Sequence, residues 1–215
     1  MERFRRAAVA YVTGRGHPGA REAAVELAGH GGLRSVVLVE GASDRTALEV
    51  VAELRGRTLA AEGVCVVPLG GVTNIAYGLG LFGPGGLDVP VAGLCDAGEE
   101  HFYLRGLERA GLGSALTRAD MEALGFYVCV ADLEDELIRG LGAARVEGVI
   151  DDQGDLRSFR IFQRQPAQRE RAVEAQLRRF MGTRGGRKVH YARSLVEGLD
   201  PDRVPRPLDR LVARL

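Results

Sequence analysis

The chain has 215 residues, of which 46% are hydrophobic and 27% are charged, so it is long and apolar enough to bury a sizeable core. Its formal net charge is zero, and no apolar run reaches the length that spans a bilayer. The N-terminal stretch lacks the apolar core of a signal peptide. These features exclude a membrane-spanning chain and lead us to expect a cytoplasmic protein with no membrane partner.

Cysteine usage agrees with that expectation. Cys65, Cys95 and Cys129 each lie in a short apolar run, without C-x-x-C spacing or a matching histidine cluster. This pattern argues against a disulfide framework or a zinc site, and favours small buried apolar side chains.

In chain order, residues 1–32 favour helix, and short apolar runs then alternate with amphipathic segments. The runs predict four strands, at VVLVE, VCVVPL, VPVAGLCD and GFYVCVA. The segments between the strands predict helices over 43–55, 73–82 and 99–110. From residue 131 only helices are expected, at DLEDELIRGLG, QRERAVEAQLRRFMG and GRKVHYARSLVEGL, with a short closing helix.

This alternation is typical of an α/β fold with a mainly parallel sheet covered by helices on both faces. We therefore divide the chain into an N-terminal helical segment (1–32), an α/β core (33–130) and a helical C-terminal region (131–215). The C-terminal region is expected to pack on the core.

Two acidic residues stand where predicted strands end. Glu40 ends the first strand and Asp96 ends the third, while the second strand ends in a glycine turn at 68–71. Ligands of open parallel sheets bind outside the carboxyl ends of the strands. Strand polarity alone therefore places Glu40 and Asp96 at one edge of the sheet.

Asp44 follows one helical turn later. It falls within the arc of its helix that carries the apolar stripe, so we expect it to point toward the sheet. Capping of the helix by Ser43 or Asp44 is an alternative explanation for this acid. Capping does not explain Glu40, which ends a buried run where an unpaired charge is costly.

The segment DLEDEL supplies further acids. Glu134 lies inside the apolar stripe of its helix and Glu136 on the flank of that stripe. A capping arrangement with Asp132 is the alternative, and we favour a functional role for Glu134.

Carboxylates gathered in one crevice repel each other unless a cation neutralises them. Hard oxygen ligands select Mg²⁺, Mn²⁺ or Ca²⁺ over zinc. Four or more carboxylates are enough for two such ions, an arrangement that suits phosphodiester hydrolysis. We therefore expect Mg²⁺ or Mn²⁺ as the cofactor, as one or two ions.

Charge is unevenly distributed along the chain. Residues Gly85–Asp155 contain 15 acids and 5 arginines, whereas Arg157–Arg193 contain 11 basic residues and 2 glutamates. An acidic centre beside a basic surface suits cations and a polyanion respectively. Two solvated faces that pair with each other are an equally good explanation of charge alone.

Lys188 is the one lysine among the 29 basic residues. It follows a glycine pair, and an ammonium is a compact point charge or proton donor, which arginine supplies poorly. Chance survival of one lysine is the alternative, and we favour a functional role near a phosphate.

The motifs VEGASD, PLGG and LCD together resemble the TOPRIM domain of topoisomerases, primases and OLD nucleases (overcoming lysogenisation defect). The resemblance to the OLD branch continues through DLEDEL, GRKVHYA and VPRPL. It implies a Rossmann-like core that binds divalent metal and cuts or joins nucleic-acid phosphodiesters. By this resemblance, Glu40 and Asp44 match the motif acids and Asp96 the first aspartate of D-x-D. Glu134 and Glu136 match acids of the helical insertion, and Lys188 matches a lysine thought to assist the chemistry.

The chain departs from that pattern in two ways. The D-x-D position reads Asp96-Ala97-Gly98, so a second acid would have to come from Glu99 or Glu100. The residues before Leu33 contain no P-loop, whereas OLD proteins usually carry an ATPase domain there. We therefore expect a stand-alone TOPRIM protein whose ATP-driven control, if present, comes from a separate ATPase partner.

The leading hypothesis is a metal-dependent nuclease acting on DNA, with RNA left open. Arg184, Arg187, Lys188 and Arg193 are the expected nucleic-acid contacts. A non-catalytic nucleic-acid or nucleotide binding module with an impaired metal site is the alternative. A receiver-like phosphoacceptor centred on Asp96 fits less well, because its lysine would end a core strand. The oligomeric state is left open.

Overall fold

The computed structural model describes residues 1–30, 32–183 and 186–215 of the chain. Four parallel strands form one sheet in the order β2-β1-β3-β4. Their bounds are β1 Ser35–Val39, β2 Val64–Pro68, β3 Val91–Asp96 and β4 Phe126–Cys129. The predicted α/β class, with its parallel sheet, is therefore confirmed.

Twelve α-helices surround the sheet within the described ranges. They are α1 (Glu2–Thr13), α2 (Pro18–His30), α3 (Ala42–Leu54), α4 (Ile75–Phe82), α5 (Glu100–Arg109), α6 (Arg118–Leu124), α7 (Leu133–Leu141), α8 (Ala143–Asp152), α9 (Leu156–Gln163), α10 (Val173–Met181), α11 (Arg187–Glu197) and α12 (Arg206–Arg214).

The predicted starts of two helices were wrong. Short 3₁₀ turns, Val72–Asn74 and Ala97–Glu99, precede α4 and α5 and take the first residues expected to be helical. Helix α10 begins at Val173 rather than near residue 168, and α6, α8 and α9 were not predicted from the sequence.

Helices cover both faces of the sheet. Val36 and Leu38 face a core formed with α1, α2, α4, α5 and α6. Val37 and Val39 face a second core formed with α3 and α7 to α12. Because successive side chains of a strand point to opposite faces, an all-apolar β1 fills both cores.

The N-terminal and C-terminal helices share these cores with the sheet. Helix α1 packs on β2, and α11 packs along α3. The division of the chain into three regions stays a prediction. No helix in the described part of the chain combines the length and apolar character needed to cross a membrane.

The strand order creates one crevice. After β1 the chain moves to β2 on one side, and then crosses to β3 on the other side of β1. In such sheets the point where the order reverses is where ligands bind, outside the carboxyl ends of the strands. Here that point lies between Glu40, directly after β1, and Asp96, the last residue of β3.

Gly93 allows β3 and β4 to pack closely. A Cβ atom at this position would lie 2.7 Å from Cδ1 of Phe126 and 3.0 Å from the carbonyl oxygen of Leu38. Any side chain would therefore push apart strands that position the crevice.

We expect Gly93→Ala to lower the free energy of unfolding by about 1–3 kcal/mol, because the added methyl overpacks the core. The matched control is Gly80→Ala on α4, where an added Cβ meets no atom within 4 Å. That variant should gain up to about 1 kcal/mol from helix propensity. Urea unfolding followed by circular dichroism compares the two, and equal stabilities would contradict the packing argument.

Candidate metal centre

Three carboxylates converge at the crevice. Glu40, Asp96 and Glu99 each place one oxygen so that these atoms all lie within 4.8 Å of one another. We call this group the acid cluster. Its members come from the end of β1, the end of β3 and the 3₁₀ turn after β3.

Backbone hydrogen bonds fix Glu40. The ladder between β1 and β2 continues past both strands, with Leu69 N–H donating to Val39 O (2.8 Å) and Gly70 N–H to Glu40 O (3.0 Å). Gly70 needs a positive φ of 67° for this, which favours glycine. The buried Asn74 amide donates to Leu69 O at 2.9 Å and holds the turn. The glycine turn thus holds the backbone beneath an acidic side chain.

The 3₁₀ turn brings in Glu99. Gly98 occupies the second position of the D-x-D motif, and the next residue joins the acid cluster instead. The Oε2 atom of Glu99 is buried and has no hydrogen-bond partner among the described residues. Buried polar atoms are normally satisfied, so this oxygen is available to a ligand.

Burial and mutual repulsion perturb the acid cluster. Desolvation, reinforced by the charges of Asp44 and Asp132, raises the pKa of Asp96 to about 8. Desolvation and a hydrogen bond with Glu40 raise the pKa of Glu99 to about 7. At neutral pH, protons therefore remain on carboxyls that would be ionised in water.

Asp44 combines a local and a long-range effect. Its Oδ2 accepts the Gly41 N–H at 2.8 Å, as the capping interpretation expected. Desolvation nevertheless raises its pKa to about 6 against that hydrogen bond, with further contributions from Glu134 and Glu40. Asp44 therefore interacts electrostatically both with Glu40 of the acid cluster and with Glu134 of α7.

These observations fit a divalent cation. All the donors are carboxylate oxygens, which hard cations such as Mg²⁺ and Mn²⁺ prefer. Two ligand oxygens on a cation at 2.0–2.6 Å lie at most about 5 Å apart, and the spacing of the acid cluster agrees with that limit. The buried unpartnered oxygen of Glu99 is a further donor.

A second pair of acids is neutralised by the protein itself. Lys188 Nζ lies 3.1 Å from Oε2 of the buried Glu134. Arg178 Nη2 lies 2.6 Å from Oδ2 of Asp132. Glu134 and Lys188 thus form an ion pair, which the sequence did not predict, and a metal-ligand role for Glu134 stays a prediction.

Two predicted ligands point elsewhere. Glu100 accepts Arg118 Nε at 3.0 Å, and this guanidinium lowers its pKa. Glu136 accepts Val130 N–H and contacts Arg139, both at 2.7 Å. Residues two apart on a helix face opposite sides, so Glu136 cannot share the direction of Glu134. Neither carboxylate belongs to the acid cluster in this structure, and a metal-ligand role for either one stays a prediction that these contacts do not support.

The arginines predicted to contact nucleic acid have carboxylate partners in the protein where the structure describes them. Arg187 is buried, with its guanidinium 4.3 Å from the Phe180 ring centroid and 3.2 Å from Asp155. The guanidinium of Arg187 is thus engaged inside the protein, and a contact of Arg187 with nucleic acid stays a prediction that this burial does not support. Arg193 is half exposed and pairs with Glu53 and Glu197. Arg184 lies outside the described residues.

Sequence reasoning missed Asp132 and Arg178. Asp132 caps α7 by accepting the Asp135 N–H at 2.9 Å, and its charge contributes to the raised pKa of Asp96. It follows β4 closely, so the rule that identified Glu40 and Asp96 could have found it. Arg178 carried no comparable signal among so many arginines.

Comparison with known proteins shows similarity to a family and to solved structures. The family described as "Overcoming lysogenization defect protein-like, TOPRIM domain" matches residues 33–97, a range that contains Glu40, Asp44 and Asp96. The C-terminal region of the Xanthomonas campestris pv. campestris OLD protein is 26% identical, with 84% of this chain and 91% of that chain covered and a TM-score of 0.66. Curated proteins gave no significant match.

The C-terminal region of the Burkholderia pseudomallei OLD protein has the same fold. It is 21% identical, with a TM-score of 0.65, over 84% of this chain and 96% of that chain. The parallel sheet and the acids at its carboxyl edge thus define a TOPRIM domain. This chain contains an OLD-like TOPRIM domain and resembles the C-terminal region of OLD proteins. Metal-dependent cleavage of nucleic acid is the activity associated with that class.

We expect one strong Mn²⁺ site at pH 8, measured by isothermal titration calorimetry. Glu40→Gln, Asp96→Asn and Glu99→Gln should each weaken binding at least about tenfold, because each removes a carboxylate ligand. Glu100→Gln is the control, since its carboxylate binds Arg118. Unchanged affinity in Asp96→Asn would contradict the assignment.

Stability should depend on pH through Asp96. Its folded pKa of about 8 exceeds its ordinary value of 3.8, so the folded state holds a proton that the unfolded chain has released between these values. The free energy of unfolding therefore falls as pH rises from about 4 to about 8, because over this range the unfolded chain releases a proton that the folded protein keeps on Asp96. We expect the melting temperature of cation-free wild type to fall relative to that of Asp96→Asn between about pH 4 and about pH 8. Parallel curves would show that Asp96 titrates normally.

Proposed function

We propose that this chain hydrolyses nucleic-acid phosphodiesters with Mg²⁺ or Mn²⁺ held by the acid cluster. The observation that carries the proposal is the convergence of Glu40, Asp96 and Glu99 at the reversal point of an OLD-like TOPRIM sheet. Three gathered carboxylates, two of them, Asp96 and Glu99, with raised pKa values, and a buried Glu99 oxygen without a hydrogen-bond partner among the described residues are poorly stable without a cation.

The residues of the site would have different roles according to their positions. Glu40, Asp96 and Glu99 would hold the cation, and Asp44 would keep the turn at Gly41 closed beside them. When bound, a divalent cation neutralises charge on a phosphate oxygen and activates water for hydrolysis. The shape of the crevice would then orient the phosphodiester between the strand ends and α7.

Lys188 would supply a fixed positive charge. Desolvation lowers its pKa, but the charge and hydrogen bond of Glu134 outweigh that effect, so its pKa is raised overall. The side chain is half exposed, so the ammonium stays charged and can contact a phosphate oxygen. Glu134 would act mainly by positioning Lys188.

A non-catalytic nucleic-acid or nucleotide binding module is the second candidate. The glycine at the second D-x-D position favours it, because an acid expected in an active enzyme is absent there. The entry of Glu99 into the acid cluster supports catalysis instead. A separate ATPase partner and the oligomeric state stay predictions.

The proposal is tested by incubating supercoiled plasmid with the protein and Mg²⁺ or Mn²⁺. A cation concentration on the order of 5 mM is chosen to saturate the site. We expect relaxed or linear product from wild type. Glu40→Gln and Lys188→Ala should lower the rate at least about 100-fold, because each removes charge stabilisation worth several kcal/mol.

Glu100→Gln is the matched control and should cleave like wild type, since Glu100 contacts Arg118 outside the acid cluster. A labelled RNA of the same sequence serves as a parallel substrate. Equal behaviour of wild type and Glu40→Gln toward both substrates would favour the binding module.

A further inference from the structure

A groove of about 570 Å³ lies beside the acid cluster, along α10. Its charged lining consists of Arg171, Arg178, Arg179, Lys188, Asp132 and Glu134. We call it the α10 groove. Asp132 connects the groove with the candidate metal centre, because it follows Cys129 by three residues and Cys129 is the partner of Asp96 in the register between β3 and β4. Glu134 and Lys188 also interact electrostatically with Asp44. The groove therefore begins near the candidate metal centre.

Two of the four cations in the groove are already paired. Arg178 contacts Asp132 and Lys188 contacts Glu134, so these pairs cancel their charges. Arg171 donates only to the carbonyl oxygen of Ala167 among the described residues, at 2.9 Å. Arg179 is exposed, and its side chain has no carboxylate partner in the part of the chain that the structure describes. The groove thus keeps two positive charges in excess.

Three other cations of the basic segment are engaged elsewhere. Arg160 binds Glu147 at 2.6 Å, Arg187 is buried against Phe180, and Arg193 pairs with glutamates. Part of the excess charge of residues 157–193 is thus uncompensated at the α10 groove, where Arg171 and Arg179 have no carboxylate partner among the described residues. A polyanion would be attracted to this surface more than to the paired arginines.

The lining also indicates which part of a polyanion fits. Besides the charged side chains, the groove is lined by Ala175, Gly182 and Thr183, and none of its described lining residues is aromatic. Without rings, bases have no stacking platform, whereas guanidinium groups bind phosphate oxygens in pairs. The groove therefore suits a sugar–phosphate backbone without sequence preference.

We propose that the strand leaving the metal centre runs along the α10 groove, with Arg171 and Arg179 on its phosphates. The proposal rests on the proposed function for the identity of the ligand. DNA and RNA share this backbone chemistry, and the experiment distinguishes them.

Fluorescence anisotropy of the full chain with labelled 20-nucleotide single-stranded and duplex DNA and RNA, in EDTA so that nothing is cut, gives the affinities. The double variant Arg171→Ala/Arg179→Ala should bind at least about tenfold more weakly at low salt. Its plot of log affinity against log salt should be shallower by about two, one per lost phosphate contact.

Arg145→Ala/Arg160→Ala is the matched control, because it also removes two exposed positive charges from the C-terminal helices. It should stay within about twofold of wild type, since Arg145 is paired with Asp200 and Arg160 with Glu147. Circular dichroism confirms folding of both variants, and the tightest of the four ligands identifies the backbone.

An equal loss of affinity in the two double variants would contradict the proposal that the strand binds in the α10 groove. The absence of binding to all four nucleic acids would contradict it as well. If Arg171→Ala/Arg179→Ala binds and cleaves plasmid like wild type, the groove fails while the proposed function stands. If binding is lost selectively but wild type cuts no plasmid, the groove stands and the proposed function fails.

Discussion

The confinement of negative charge at the junction of β1 and β3 is the constraint on which the site depends. Glu40 and Asp96 arrive there because two parallel strands end side by side, above an apolar sheet that offers no counter-charge. Desolvation raises the pKa of Asp96, and neighbouring acids add to the effect. The surrounding elements hold these groups in place against their repulsion, through the continued ladder, the glycine turn and the buried Asn74.

Counter-charge is distributed unequally around this junction. On the α7 side, Asp132 and Glu134 each have a partner, in Arg178 and Lys188. On the strand side, neither of these cations contacts the acid cluster, and within the described part of the chain one oxygen of Glu99 has no hydrogen bond. The half of the crevice that the protein does not neutralise is therefore the half best suited to a mobile divalent ion. The neutralised half borders the α10 groove, where arginines exceed acids.

Strand polarity was enough to predict the sheet and the meeting of Glu40 with Asp96, because both depend on short apolar runs. The choice between Glu99 and Glu100 was beyond the sequence, since it depends on a 3₁₀ turn that rotates one toward the crevice and the other toward Arg118. The burial of Arg187 was equally hidden, because its partners come from distant segments. Asp132 could have been found, since it follows β4 as the other acids follow their strands.

Arg187 has a consequence for its neighbour. Its guanidinium is clamped by Asp155, the Thr183 hydroxyl and the Phe180 ring, which fixes the rotation of α11 about its own axis. Lys188 follows at the next position, turned by about 100° on the same helix. The contacts of Arg187 thus determine the direction in which the Lys188 side chain leaves the helix. A design that changes the direction of the Lys188 ammonium would first have to change the contacts of Arg187.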